Sequence, residues 1–155
     1  MSDLEPTRRV SIDWDELEFA LTWHSEEGGS SYLDRTTGLV LTLTGTDDDD
    51  AVEEKIDAGL AEGRLIWIEP LESSVQYSWM AEFAETTAGE LSRLLDVALS
   101  GKGAFRRFKD VLGGYPAERK RWFVLRQERL HEAMRAWLTD HGIEATTEPP
   151  RREGG

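Results

Sequence analysis

The hydrophobic period changes once along this chain, and that change constrains the fold more than any other feature. As far as Glu69-Pro70, strand-like patterns recur: Leu39-Val40-Leu41-Thr42-Leu43 alternates, and Arg64-Leu65-Ile66-Trp67-Ile68 is rich in β-formers. From Ser73 onward, apolar residues return every three or four positions, the period of a helix with one buried face. Strands first and helices afterwards predict an α+β fold. A small antiparallel three-stranded sheet near the N-terminus is followed by a mostly helical C-terminal part.

Local signals divide this plan into elements. Asp13 with Glu16 reads as a capping box opening a helix that carries Trp14, Leu17 and Leu21 to about His24, where Gly28 and Gly29 stop it. Tyr32-Leu33 and Leu39–Leu43 flank the turn-like Asp34-Arg35-Thr36-Thr37-Gly38, predicting an antiparallel hairpin with its leucines toward the core. Asp47 to Asp50 suit the positive end of a short helix bearing Val52, Ile56 and Leu60 and closed by Gly63. Arg64–Ile68 then supplies the third strand. Among the later helices, Val75, Trp79, Met80 and Phe83 form one stripe, while Thr87 and Glu90 start a helix holding Leu91, Leu94, Leu95 and Ala98 as far as Gly101. A third, short helix after Gly103 buries Phe105, Phe108 and Leu112 before Gly113-Gly114. Pro116 opens the longest helix, with Trp122, Phe123, Leu130, Met134, Trp137 and Leu138 facing the core. The segment TTEPPRREGG has no apolar anchor. One domain over residues 1–144 and a disordered tail over 145–155 are therefore expected, the tail being removable without lowering the melting temperature.

Composition narrows the chemistry. A chain of 155 residues with 39% hydrophobic content can fill one core. Having no cysteine, it has no disulfide, thiolate metal site or cysteine nucleophile, and a reducing, cytoplasmic setting fits. The opening MSDLEPTRRV has no apolar leader region and no apolar run approaches membrane-spanning length, so neither export nor a membrane partner is expected. The formal charge is -13, which repels nucleic acid and anionic membranes as a whole. Yet residues 101–135 hold ten basic against four acidic side chains, a net +6 that leaves -19 on the remainder.

The stretches GKGAFRRFKDVLGGYP and RWFVLRQERLHEAMRAWLTDHGIE resemble the C-terminal signature of a widespread bacterial family catalogued only as uncharacterised. YLDRTTGLVL resembles that family's hairpin motif and SSVQYSWMAEFAE its aromatic helix, so the likeness spans roughly Ile12 to Glu144. The resemblance implies no activity, cofactor or catalytic residue.

Of the features that can carry chemistry, the basic cluster Lys102, Arg106, Arg107 and Lys109 leads. It lies at a predicted helix start between glycines, where guanidinium groups and free amides can hold a phosphate or carboxylate. The plainer reading is that these bases neutralise the acidic remainder. SGKGAF lacks the upstream glycine and the following hydroxyl residue of a nucleotide-binding P-loop. Trp79, Phe83, Phe105, Phe108, Trp122 and Trp137 lie on helices able to converge into an aromatic cavity for a planar ligand, or simply to fill gaps between helices. His24, His131 and His141 lack ligand spacing, Asp47 to Asp50 lack a calcium-loop pattern, and Ser30-Ser31 make no nucleophile elbow. Neither metal nor cofactor is expected, and no catalytic set emerges. The best-supported expectation is a non-catalytic interaction or regulatory module for a protein partner or a small anionic ligand. The alternatives are an enzyme acting on a phosphate-bearing substrate, and a nucleic-acid-related protein using the same patch.

Overall fold

The computed structural model describes residues 8–22, 29–43 and 50–150. In chain order the elements are β1 (Arg8–Val10), α1 (Trp14–Thr22), β2 (Ser30–Asp34), β3 (Val40–Leu43), α2 (Asp50–Ala61), β4 (Leu65–Ile68), α3 (Ser73–Glu85), α4 (Gly89–Ala98), α5 (Ala104–Leu112), α6 (Pro116–Asp140) and β5 (Ile143–Ala145). This is an α+β protein with an antiparallel three-stranded sheet, order β3-β2-β4, ahead of a mainly helical second half. The described chain divides into two compact units: the residues up to Pro70 together with Glu132–Pro150, and Leu71–His131.

In the first unit the sheet register is fixed by the turn between β2 and β3. Asp34 is buried, and its carboxylate accepts the Thr36 amide at 2.8 Å and the Arg64 guanidinium at 2.6 Å, so the buried charge is fully engaged. Gly38 closes the turn at φ 76°, and a Cβ there would lie 2.0 Å from the Ser11 carbonyl oxygen, so only glycine fits. Leu33 consequently pairs with Val40 and Ser31 with Thr42. Ser31, Leu33 and Ile68 face inward, and the Ser31 hydroxyl is satisfied by Thr42 at 3.1 Å. Strict alternation then turns the next residues outward: Leu39 is 54% and Leu41 40% exposed. The hairpin leucines expected to face the core thus divide between two faces, Leu33 inside and Leu39 and Leu41 outside. Helix α1 packs on β2 and β3, while α2 packs on β4. Asp13 caps α1 weakly through the Glu16 amide, at 3.4 Å. The predicted helix end at His24 and the acidic run Asp47–Asp49 lie outside the described residues.

Two strands are invisible to the hydrophobic period. β1 pairs in parallel with β5, Val10 opposite Ala145. The chain continues past Glu144, where the disordered tail was expected. The Thr146 amide donates to Val10, Thr147 accepts the Trp14 indole N–H at 2.9 Å, and Pro149 is buried. Backbone pairing, which needs no apolar side chain, extends through Ala145 and Thr146.

The second unit is helical, and its core joins Trp79, Met80, Phe83, Leu91, Leu95, Phe108, Leu112, Trp122 and Leu130. Val75, Leu94 and Phe105, expected to be buried, are each exposed by a third or more, because each lies at the edge of its helix's apolar arc. The Thr87–Glu90 capping box does not form. Ala88 takes the cap position without a side-chain bond, and the Thr87 hydroxyl donates instead to Ala84 of the preceding helix at 2.6 Å.

Candidate functional site

Three helices of the second unit present the same periodic stripe toward one cleft. On α3 it is Gln76, Trp79 and Met80; on α5, Phe105, Phe108, Lys109 and Leu112; on α6, Arg119, Trp122, Phe123 and Arg126. Spacings of three, four and seven put each set on one helical face. Between them lies a cleft of about 640 Å³, within the range of small-molecule sites.

Its floor is rigid. Phe108 and Trp122 meet edge to face with ring centres 4.9 Å apart, and Phe83 closes the cluster from behind at 6.2 Å from Phe108 and 5.7 Å from Trp122. This geometry sets positive ring edges against negative ring faces and locks each ring in place. Pro116 starts α6, which lacks only an amide that a first turn leaves unpaired, and Arg119 donates its own amide to Tyr115 at 2.8 Å.

The cleft carries three cations, Lys109, Arg119 and Arg126, and no acidic residue lines it. The Arg119 guanidinium lies over the Phe123 ring, 5.2 Å from its centre, a cation–π contact that positions it beside the cleft. Two further arginines of α6 are outside the lining and already engaged. Arg121 pairs with Glu118 and reaches the Thr86 hydroxyl at 2.9 Å, and Arg129 pairs with Glu82. The Arg129 guanidinium bond holds the Glu82 carboxyl below the usual glutamate range.

The four basic residues singled out in the sequence separate. Lys109 lines the cleft, whereas Lys102 and Arg106 are exposed and are not among its lining residues. Arg107 is a loop clamp: its guanidinium donates to the carbonyls of Ala98, Ser100 and Lys102. The aromatic convergence holds for Trp79, Phe105, Phe108 and Trp122, with Phe83 behind the floor. Trp137 does not join it and stacks on His141 instead, 4.3 Å between centres. Sequence reasoning missed Gln76, Phe123, Arg119 and Arg126 as site residues. The spacing of the two arginines, seven apart on either side of Trp122-Phe123, was the available signal. Among the described residues, no group of three or more His, Asp or Glu side chains is placed to hold a metal ion, and no helix is long and apolar enough to cross a membrane.

The model of the uncharacterised protein family UPF0158 matches residues 9–150. The chain belongs to that family. A Pseudomonas aeruginosa relative, UPF0158 protein PA5073, is 33% identical over 140 residues, covering 88% of this chain and 87% of the relative. No solved structure matches. Membership in UPF0158 therefore brings no assigned activity, and the cleft has to be interpreted from its own chemistry.

Proposed function

We propose that this UPF0158 chain is a non-catalytic binding module, interaction or regulatory in role, whose working surface is the cleft between α3, α5 and α6, and that its ligand is a small anion with an apolar body. The observation that carries the reading is the gathering of Lys109, Arg119 and Arg126 around an aromatic floor, with no carboxylate among the lining residues, in a chain of net charge -13. In such an acidic molecule, a cleft whose charged lining residues are all cations concentrates the field on an anionic ligand. The lining offers guanidinium, ammonium and amide donors but no carboxylate, histidine or hydroxyl to move a proton or attack a substrate, which favours binding over turnover. A cytoplasmic location belongs to the same proposal, in keeping with a chain that carries no cysteine, and osmotic-shock fractionation checks it.

Calorimetric titration of an anion panel at low salt tests the assignment. Binding should weaken at least tenfold in Arg126→Glu and Arg119→Glu and persist in the double variant Lys102→Glu/Arg106→Glu. The opposite order would move the site to the exposed start of α5, and hydrolysis of a bound phosphate ester would favour an enzyme.

A further inference from the structure

The composition of the cleft walls narrows the ligand further. Five of its lining side chains are aromatic, and only Met80 and Leu112 are aliphatic. A pocket for an acyl chain needs flexible aliphatic walls that follow a bending tail; rigid rings offer flat faces instead. Two of these rings are not needed for folding in the way the floor is. Phe105 is 39% exposed and Phe123 is half-buried, so both keep accessible ring surface in the cleft lining, whereas Phe108 is fully buried. Arg119, stacked on Phe123, extends that flat surface with a planar cation.

Resting on the binding reading above, we infer that the ligand is a planar aromatic anion, its ring lying against Phe105 and Phe123 over the Trp122 floor and its acidic group held at the mouth by Arg119, Arg126 and Lys109. The ring takes up the apolar area and the π faces, and the guanidinium groups offer paired N–H donors matched to carboxylate or phosphate oxygens. Neither half suffices alone. Inorganic phosphate leaves the aromatic walls wet, and a neutral ring leaves the cations without a partner.

The test compares 1-naphthyl phosphate, octyl phosphate and inorganic phosphate by isothermal titration calorimetry at low salt, on the full chain and on the single variants Phe105→Leu, Phe123→Leu and Arg126→Glu. Leucine keeps the apolar character of each site and removes its flat face. Naphthyl phosphate should bind at least tenfold more tightly than either other anion. Phe105→Leu and Phe123→Leu should remove most of that advantage over octyl phosphate, and Arg126→Glu should weaken both organic phosphates together. Equal or tighter binding of octyl phosphate, or an advantage that survives both leucine variants, overturns the planar-ligand inference and leaves the anion-binding cleft standing. Failure of all three anions to bind the folded wild-type chain overturns both. Melting curves recorded on each variant separate lost binding from lost fold, and with either leucine variant unfolded the other decides.

Discussion

Replacing Arg107 by methionine separates two roles that neighbouring arginines share in the sequence. Its guanidinium crosses from α5 to the end of α4 and donates through Nε to Ala98 at 3.1 Å, and through its two terminal nitrogens to Lys102 and Ser100. The Tyr77 hydroxyl takes the adjacent Leu99 carbonyl at 2.8 Å, so the carbonyls at this helix end are satisfied by side chains, and a cation beside them also complements the helix dipole. Methionine keeps the apolar stem and removes all three bonds. The partly buried bond to Ala98 accounts for about 1 kcal/mol, and the two exposed ones, which water can replace, for about 0.5 kcal/mol each. The expected loss is about 2 kcal/mol. With a urea slope of about 2 kcal/mol per molar for a chain of this size, the unfolding midpoint should fall by about 1 M. Arg106→Met, on an exposed side chain with no hydrogen bond or ion pair among the described residues, should stay within about 0.5 kcal/mol of wild type. Urea melts followed by tryptophan fluorescence measure both. Equal losses in the two variants, or no loss in Arg107→Met, would refute the clamp.

The remaining expectations concern pH, the C-terminal strand and cooperativity. Glu82 has its carboxyl pKa lowered by the Arg129 hydrogen bond, so its stabilising effect is present above the unfolded glutamate value of about 4.3 and is lost as pH falls through the lower folded value. Glu82→Gln should therefore destabilise at pH 7 and have no effect in strong acid; a penalty that persists unchanged into acid would contradict the pair. Ending the chain at Glu144 removes the Ala145 pairing, the Thr146–Val10 bond, the Thr147–Trp14 bond and buried Pro149, and should lower the melting temperature by about 5 °C. An unchanged melting temperature would restore the view that everything after Glu144 is dispensable. We propose that the two units unfold together as one domain, since α6 contributes Pro116–His131 to one and Glu132–Asp140 to the other. A single calorimetric transition with equal calorimetric and van't Hoff enthalpies is expected, and two resolved transitions would refute it.

Sequence alone determined the class of the fold, because a run of period-two segments before Pro70 and of period-3.6 segments after it leaves few other ways to bury both. It placed the hairpin turn at Asp34–Gly38 and the start of α6 at Pro116, where φ restrictions and local hydrogen bonds act within a few residues. It also pointed to a convergence of Trp79, Phe83, Phe105, Phe108, Trp122 and Trp137, since each lies on a helix; all but Trp137 line or back the cleft. Tertiary structure decided what depends on partners distant in sequence. β1 and β5 pair across more than 130 residues through backbone groups that carry no side-chain signal. The inward or outward sense of Leu39 and Leu41 follows from the hairpin register, in which Leu33 pairs with Val40 and Tyr32 with Leu41. Above all, charge count could not tell a ligand-facing cation from a structural one: Arg107 was claimed by carbonyls at the end of α4, whereas Arg119 and Arg126 were left beside an aromatic cleft that exists only once three helices have packed.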